Sequence, residues 1–406
     1  MQSTQSLPLE LWITIFDFAI GSSTGPSESC SYRNFPIVLD HLRGWRRPWQ
    51  PQVLRSLRLV CRTFHNLLES PSYYSMEAAD EHIPPRTKAL TLGSYQNTNK
   101  WLRKLDREPS IYCRIIHLFL VLLDKPDPSH GGETTFDCLC ASGHGLPALR
   151  SLSIKFYSEK SRGTPKPRFW ARINDAFPLL TSLVLRGKVG RSVQEGAAVF
   201  ENLIVLGITV LHPDVALVTF PALVHVAIDN TYARSLLEFG NWNHLESLFL
   251  RHLPYDCARF KWEWFPNLRL LGIPDTRLAS TPLLPSHHPL QSLYVYSGAD
   301  PLAGGRHKQG EKDVWWLHGT LLRLPGIINI TITFEKSMKN WSSTLLGDFD
   351  RRKLKQMGFT FGPSNLTFDY RRRVVINRTP AKDKKAVKMS MWLLNINALR
   401  PSASSQ

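Results

Sequence analysis

Few residues in this 406-residue chain have the types and spacing to do bond chemistry. Gly21-Ser22-Ser23-Thr24-Gly25 fits the G-x-S-x-G pattern of a serine nucleophile. That pattern works on a sharp strand-to-helix turn, where the hydroxyl stands exposed beside an oxyanion hole. Here it follows a helical pattern and enters a polar stretch, so no nucleophile is assigned. His130, Cys138, Cys140 and His144 are the soft donors that could gather around a zinc ion. A Cys-x-Cys pair lacks the two-to-four-residue gap of a tetrahedral zinc site, and Gly131, Gly132 and Gly143 read as a loop. Asp348 and Asp350 stand beside Arg351 and Arg352 and read as surface charge. No Walker or dinucleotide-binding glycine motif occurs. The expectation is a non-enzyme with no catalytic residue, no metal and no cofactor.

What remains is non-covalent recognition, and charge is its first signal. The formal net charge is +17, which raises nucleic acid or an acidic surface as a partner. The charge is uneven. Residues 1–80 are neutral, residues 81–334 carry +7, and residues 335–388 carry +9. The last segment holds Arg351-Arg352-Lys353, Arg371-Arg372-Arg373 and Lys382-Asp383-Lys384-Lys385. It reads as a basic cap and tail: a nucleic-acid or nuclear-import patch, or a solvated edge. Its alternating Phe359-Thr360-Phe361 and Leu366-Thr367-Phe368 read as closing strands. No apolar run approaches the roughly 20 residues that span a bilayer. Leu11 to Ile20 contains Asp17 and has no basic flank before it, unlike a signal peptide. Six scattered cysteines do not make a disulfide framework. A reducing, intracellular setting, cytoplasmic or nuclear, is expected, and the sequons at Asn329, Asn340, Asn365 and Asn377 are read as chance.

The elements that would position a recognition surface come in two kinds. At the N-terminus, Leu7, Leu11, Ile15 and Phe18 recur at helical spacing, with Pro8 suited to the first turn. A second helical pattern carries Leu57, Val60, Cys61, Phe64 and Leu68 on one face. Residues 21–52 between them read as an inserted loop. The first part reads Leu7-Pro8-x-Glu10-Leu11 and continues to Ile15-Phe16; the second reads Leu54-x-x-Leu57-Arg58-Leu59-Val60-Cys61-Arg62-x-Phe64. Together they resemble the F-box. The resemblance implies a small helical module, residues 1–80, that docks the Skp adaptor of a cullin ubiquitin ligase. Leu7, Pro8, Leu11, Ile15, Phe16, Leu59, Val60, Cys61 and Phe64 would make that contact. Leu7, Pro8 and Leu59 would then be exposed until the partner covers them. A plain helical hairpin is the other reading.

From residue 81 to 334 an apolar-x-x-apolar-x-apolar frame recurs. It stands at Leu149/Leu152/Ile154, Leu180/Leu183/Leu185, Leu203/Leu206/Ile208 and Leu223/Val226/Ile228. It continues at Leu245/Leu248/Leu250, Leu268/Leu271/Ile273, Leu290/Leu293/Val295 and Ile327/Ile330/Ile332. Weaker copies precede these at Thr87/Leu90/Leu92 and Ile115/Leu118/Leu120. Spacings of 20–23 residues dominate, and recurrence at a fixed period is the mark of a repeat. Three residues before each strong copy stands a bulky residue: Leu146, Phe177, Phe200, Phe220, Trp242, Phe265, His287 and Leu324. Proline follows five of them. The frame resembles a degenerate leucine-rich repeat, with Tyr157, Lys188 or Leu211 where that family has Asn or Cys. An irregular α/β domain is the other reading.

The expected fold is an α+β or α/β solenoid, in which the F-box is followed by an irregular leucine-rich-repeat arc of short parallel strands. Helices are expected near 168–177, 192–200, 232–239, 259–265 and 314–323. Between the repeat leucines, Lys155, Arg186, Asp229, Arg251, Tyr294 and Tyr296 would face outward and meet a target. The expected function is the substrate-recognition subunit of a Skp–cullin–F-box ubiquitin ligase. The alternatives are a non-ligase scaffold, or a basic nucleic-acid-binding protein acting through its tail.

Overall fold

The apolar frame becomes strand wherever it occurs. The computed structural model describes residues 59, 73–76, 87–107, 112–123, 134–157, 166–187, 192–193, 198–208, 218–228, 242–250, 261–274, 283–297, 324, 326–334, 359–361, 365–366 and 372–378. In all ten copies of the frame, the strand begins two residues after the first apolar position. The chain divides into two compact units, Met1–His225 with Arg234–Gly240, and Val226–Ala233 with Asn241–Gln406.

In the first unit the elements run β1 (Tyr73–Met76), β2 (Ala89–Leu92), α1 (Tyr95–Arg107), β3 (His117–Leu123) and α2 (Thr135–Ala141). A 3-10 turn at Ser142–Gly145 leads into β4 (Ser151–Tyr157), β5 (Lys166–Pro167), α3 (Phe169–Ala176) and β6 (Ser182–Gly187). Then come β7 (Ser192–Val193), β8 (Ala198–Val199), β9 (Val205–Ile208), β10 (Val218–Thr219) and β11 (His225–Ile228), whose last three residues belong to the second unit. Strands β1, β2, β3, β4, β6 and β9 pair in that order, all parallel. The register sets Leu90, Leu118, Leu152, Leu183 and Leu206 side by side. The repeat is therefore in phase, with the same position stacking on itself from strand to strand.

Two recurring backbone devices hold that phase. The amide of the first frame residue donates to the carbonyl of the residue three before it, as in Leu149 to Leu146, Leu180 to Phe177 and Leu203 to Phe200, at 3.1–3.4 Å, whereas the Leu290 amide donates to His288 Nδ1 instead. The carbonyl bond closes a β-turn, and the proline of Phe177-Pro178 occupies its second position, where a fixed φ is favourable. Second, the carbonyl just before one strand accepts two successive amides at the start of the next. Ile116 accepts from Arg150 and Ser151, Arg150 from Thr181 and Ser182, and Thr181 from Ile204 and Val205, all at 2.8–3.0 Å.

In the second unit β12 (Ser247–Leu250), a 3-10 turn at Trp262–Trp264, β13 (Leu270–Pro274), β14 (Ser292–Ser297) and β15 (Asn329–Phe334) continue the pattern. The parallel register aligns Leu248, Leu271, Leu293 and Ile330. The polarity then reverses among β16 (Phe359–Phe361), β17 (Asn365–Leu366) and β18 (Arg372–Arg378). Strand β18 pairs antiparallel with β15, setting Ile376 against Ile330 and Val374 against Ile332, and pairs antiparallel with β16 and β17. Part of the basic tail is thus the strand that covers the edge of β15.

One face of each strand row carries the frame leucines and isoleucines, which are buried wherever their side chains are described. In the first unit the helices build the layer below them. Phe136 of α2 stacks on Phe169 of α3 at 4.9 Å, and Phe156 of β4 meets both. Trp170 sits edge-on to Phe200 and Phe220 at 6.2 and 6.1 Å. Helix α1 contributes Trp101, Leu102 and Leu105 to this core. Ser94 starts the helix, its Oγ accepting from the Asn97 amide at 3.2 Å.

Several expectations need correction. The helix expected at 192–200 gives way to β7 and β8, each a two-residue strand, pairing with β5 and β10. Val193, Val199 and the glycines at 190 and 196 oppose a helix there. Of the helix expected at 259–265, the described residues from 261 onward form a 3-10 turn at Trp262–Trp264, whereas α3 lies where a helix was expected. Helix α1 had no counterpart in the sequence reading. The helices expected near 232–239 and 314–323 lie outside the described residues.

Candidate functional site

The alternate strand positions, opposite the leucines, are where recognition residues were expected. They are largely closed. Ser151, Ser153, Ser182, Val184, Val205 and His225 in the first unit are buried, as are Ser247, Phe249 and Leu270 in the second. Burial of both faces is the usual condition of a parallel sheet. Tyr294 shows the consequence most directly. It is 1% exposed, so it cannot meet a target as expected. Gly272 stands between Phe249 and Tyr294 in the register, and the space above it lets the two rings approach to 5.2 Å. A Cβ on Gly272 would overlap the Phe249 ring.

The exposed positions lie at the C-terminal ends of β4 and β6. Lys155 is exposed, Tyr157 is 53% exposed and Arg186 is half-buried. The register sets Lys155 directly beside Arg186. Neighbouring parallel strands lie about 4.8 Å apart, so two cations share one small area. Deeper on this face, the hydroxyls of Ser153 and Ser182 are buried without a hydrogen-bond partner. Gly187 ends β6 with φ +86, and a Cβ there would strike the Phe156 carbonyl. Tyr296 lies in β14. Asp229 and Arg251 lie outside the described residues.

Of the adaptor-contact residues, Leu59 alone is described, and it is 86% exposed. Leu7, Pro8, Leu11, Ile15, Phe16, Val60, Cys61 and Phe64 lie outside the described residues, as does Gly21–Gly25.

The cysteine–histidine segment is not a loop where it is described. Residues 135–141 form α2, started by a capping box in which Thr134 and Asp137 hydrogen-bond each other's backbone amides. The pattern Thr134-x-x-Asp137, followed by Cys138 and Leu139, is the signal of that cap in the sequence. Cys138 is buried, and the His144 ring bonds the Ala141 carbonyl at 2.9 Å. No group of three or more metal-ligating side chains occurs among the described residues, and His130 lies outside them. Burial pushes the Asp137 carboxyl up, but hydrogen bonds from Thr134 and the Arg172 guanidinium outweigh it and leave the pKa lowered. Below this segment lies a cleft of about 590 Å³ lined by Leu146, Pro147, Arg172, Phe177, Pro178 and Leu179 among others.

Two asparagines link successive turns. Asn202, third in its turn, donates from Nδ2 to the Pro178 carbonyl of the preceding turn at 3.1 Å. Asn267 does the same to Asn243. Inter-coil asparagine bonds thus occur at the turns before the strands. No helix among the described residues is long and apolar enough to cross a membrane. Comparison with protein-family models, with curated proteins and with solved structures finds no match.

Proposed function

We propose that the chain is the substrate-recognition subunit of a Skp–cullin–F-box ubiquitin ligase. Residues 1–80 dock the Skp adaptor, and a leucine-rich-repeat arc over residues 81–334 holds the target protein. The observation that carries the reading is Leu59, 86% exposed within Leu57-Arg58-Leu59-Val60-Cys61. Leu59 lies off the apolar stripe of Leu57, Val60 and Cys61, and a docking residue must be open in this way. In an F-box it waits for the adaptor. The in-phase parallel strands support the repeat part of the reading, because each coil can bury its leucines only against its neighbours. The subunit contributes proximity, raising the effective concentration of target lysines beside the transferring enzyme, and performs no bond chemistry itself.

Co-purification with the Skp adaptor tests this. The intact chain retains the adaptor, and Leu59→Asp or the double change Leu7→Ala/Pro8→Ala releases it. If the intact chain does not retain it, the ligase reading fails and a non-ligase scaffold takes its place.

A further inference from the structure

We propose that the cleft between the coil turns at 146–149 and 177–180 is a binding site for a small apolar ligand carrying a protonated amine. The assignment is independent of the ligase reading.

Three observations converge on this cleft. The first is the way it opens. In the following coil, Asn202 holds the third position of the turn at 200–203 and donates to the Pro178 carbonyl, tying that turn to the one before. At 177–180 the third position is Leu179, which has no amide to reach back with and stands 42% exposed. The gap to the turn at 146–149 is left as a space of about 590 Å³, walled by Leu179 and by exposed Pro147 and Pro178. Apolar-walled clefts of roughly 300–1,000 Å³ with a few polar groups are the usual form of a small-molecule site. The second is a carboxylate without a counter-charge. Asp175 lines the cleft and makes no hydrogen bond or ion pair among the described residues. It stands in the last turn of α3, which holds no basic residue. A helix C-terminus carries partial negative charge, so a carboxylate there is unfavourable until a cation joins it. The third is an acceptor beside it. His144 lines the same cleft, and its Nδ1–H donates to the Ala141 carbonyl, leaving Nε2 of the neutral ring a bare acceptor. The two segments are held together where Gly143 meets Ala176, so closely that a Cβ on Gly143 would stand 2.7 Å from the Ala176 Cβ.

The sign of the charge selects the ligand. Arg172 also lines the cleft, but its guanidinium bonds Asp137 and lies over the Phe136 ring at 5.5 Å. That cation is balanced where it stands, whereas Asp175 is not. An ammonium group can pair with the Asp175 carboxylate and donate to His144 Nε2, while its apolar body covers Leu179 and the two prolines.

The test is isothermal titration calorimetry of the full chain with tryptamine, tryptophol and indole-3-propionate, which share one apolar body and differ in the charge of the head. Tryptamine binds about tenfold more tightly than neutral tryptophol, and indole-3-propionate binds least. Asp175→Asn removes most of the preference for the amine, and His144→Phe weakens tryptamine binding. Ala141→Trp, which fills the cleft from its exposed rim, removes binding of all three. Glu246→Gln, a charge loss in the second unit, changes nothing. Matching thermal melts show that the variants are folded. Absence of tryptamine binding, equal affinity for the three indoles, preference for the propionate, or indifference to Asp175→Asn or Ala141→Trp overturns the proposal. Tighter binding of the peptide acetyl-Leu-Lys-Leu-amide than of tryptamine also overturns it and assigns the cleft to a protein partner.

Discussion

At the scale of single residues, His288 makes both of its ring hydrogen bonds only in the neutral state. Its Nε2–H donates to the Phe265 carbonyl at 3.0 Å, and its Nδ1 accepts from the Leu290 amide at 3.2 Å. The Leu290 bond requires Nδ1 to be bare, so the ring is neutral. Burial lowers the pKa from 6.5, the nearby His287 charge adds to this, and the Phe265 bond and Glu263 oppose it without reversing it. A base with a depressed pKa in the folded state is stabilising above its unfolded pKa, and that stability is lost as pH falls through the folded value. The denaturation midpoint of the wild type should therefore drop between about pH 7.5 and pH 5. In His288→Gln, part of that drop disappears; identical pH profiles for the two proteins would contradict the assignment. Tyr294 shows where residue-level reading of the sequence ran out. Alternation places it opposite the leucines, but only the vacancy over Gly272 and the ring of Phe249 decide that this face is closed there. Those are facts about neighbours 22 and 45 positions away in the chain, and no local pattern carries them.

At the scale of elements, the frame was highly legible because its period and its pairing are one constraint. An apolar-x-x-apolar-x-apolar copy at about 22-residue spacing must stack in phase, or leucine would meet turn. What lay between the frames was less legible. Residues 192–200 and 135–141 are short, and their state depends on what they pair with or how they are capped, not on periodicity. Helix α1 carries only a Ser94 cap and the short spacing of Trp101, Leu102 and Leu105, without the recurrence that marks the frame. The importance of phase is testable at Leu248, fully buried and in register with Leu271. Leu248→Ala should cost about 2–5 kcal/mol, and hydrogen exchange should speed up at Leu271 as well as at residue 248. A loss under about 1 kcal/mol, below the range for a core leucine, would contradict that placement.

At the scale of the whole molecule, the charge excess that suggested nucleic acid acquires a structural use. Arg372, Arg373 and Arg378 belong to β18, whose pairing with β15 closes an edge that would otherwise expose a row of unpaired amides and carbonyls. Deleting residues 359–378 should leave the first unit's melting unchanged but produce concentration-dependent light scattering, as bare β15 edges pair between molecules. A monomeric deletion variant would overturn that role. The same reversal of strand polarity bears on how such a chain can lengthen. Within either run of parallel strands, a duplicated 22-residue segment would find the same carbonyl ready for its two amides and the same leucine row to join. Beyond Phe334 it would meet an antiparallel neighbour offering neither. Gene-level growth of this protein by copying coils is therefore open internally and shut at β18.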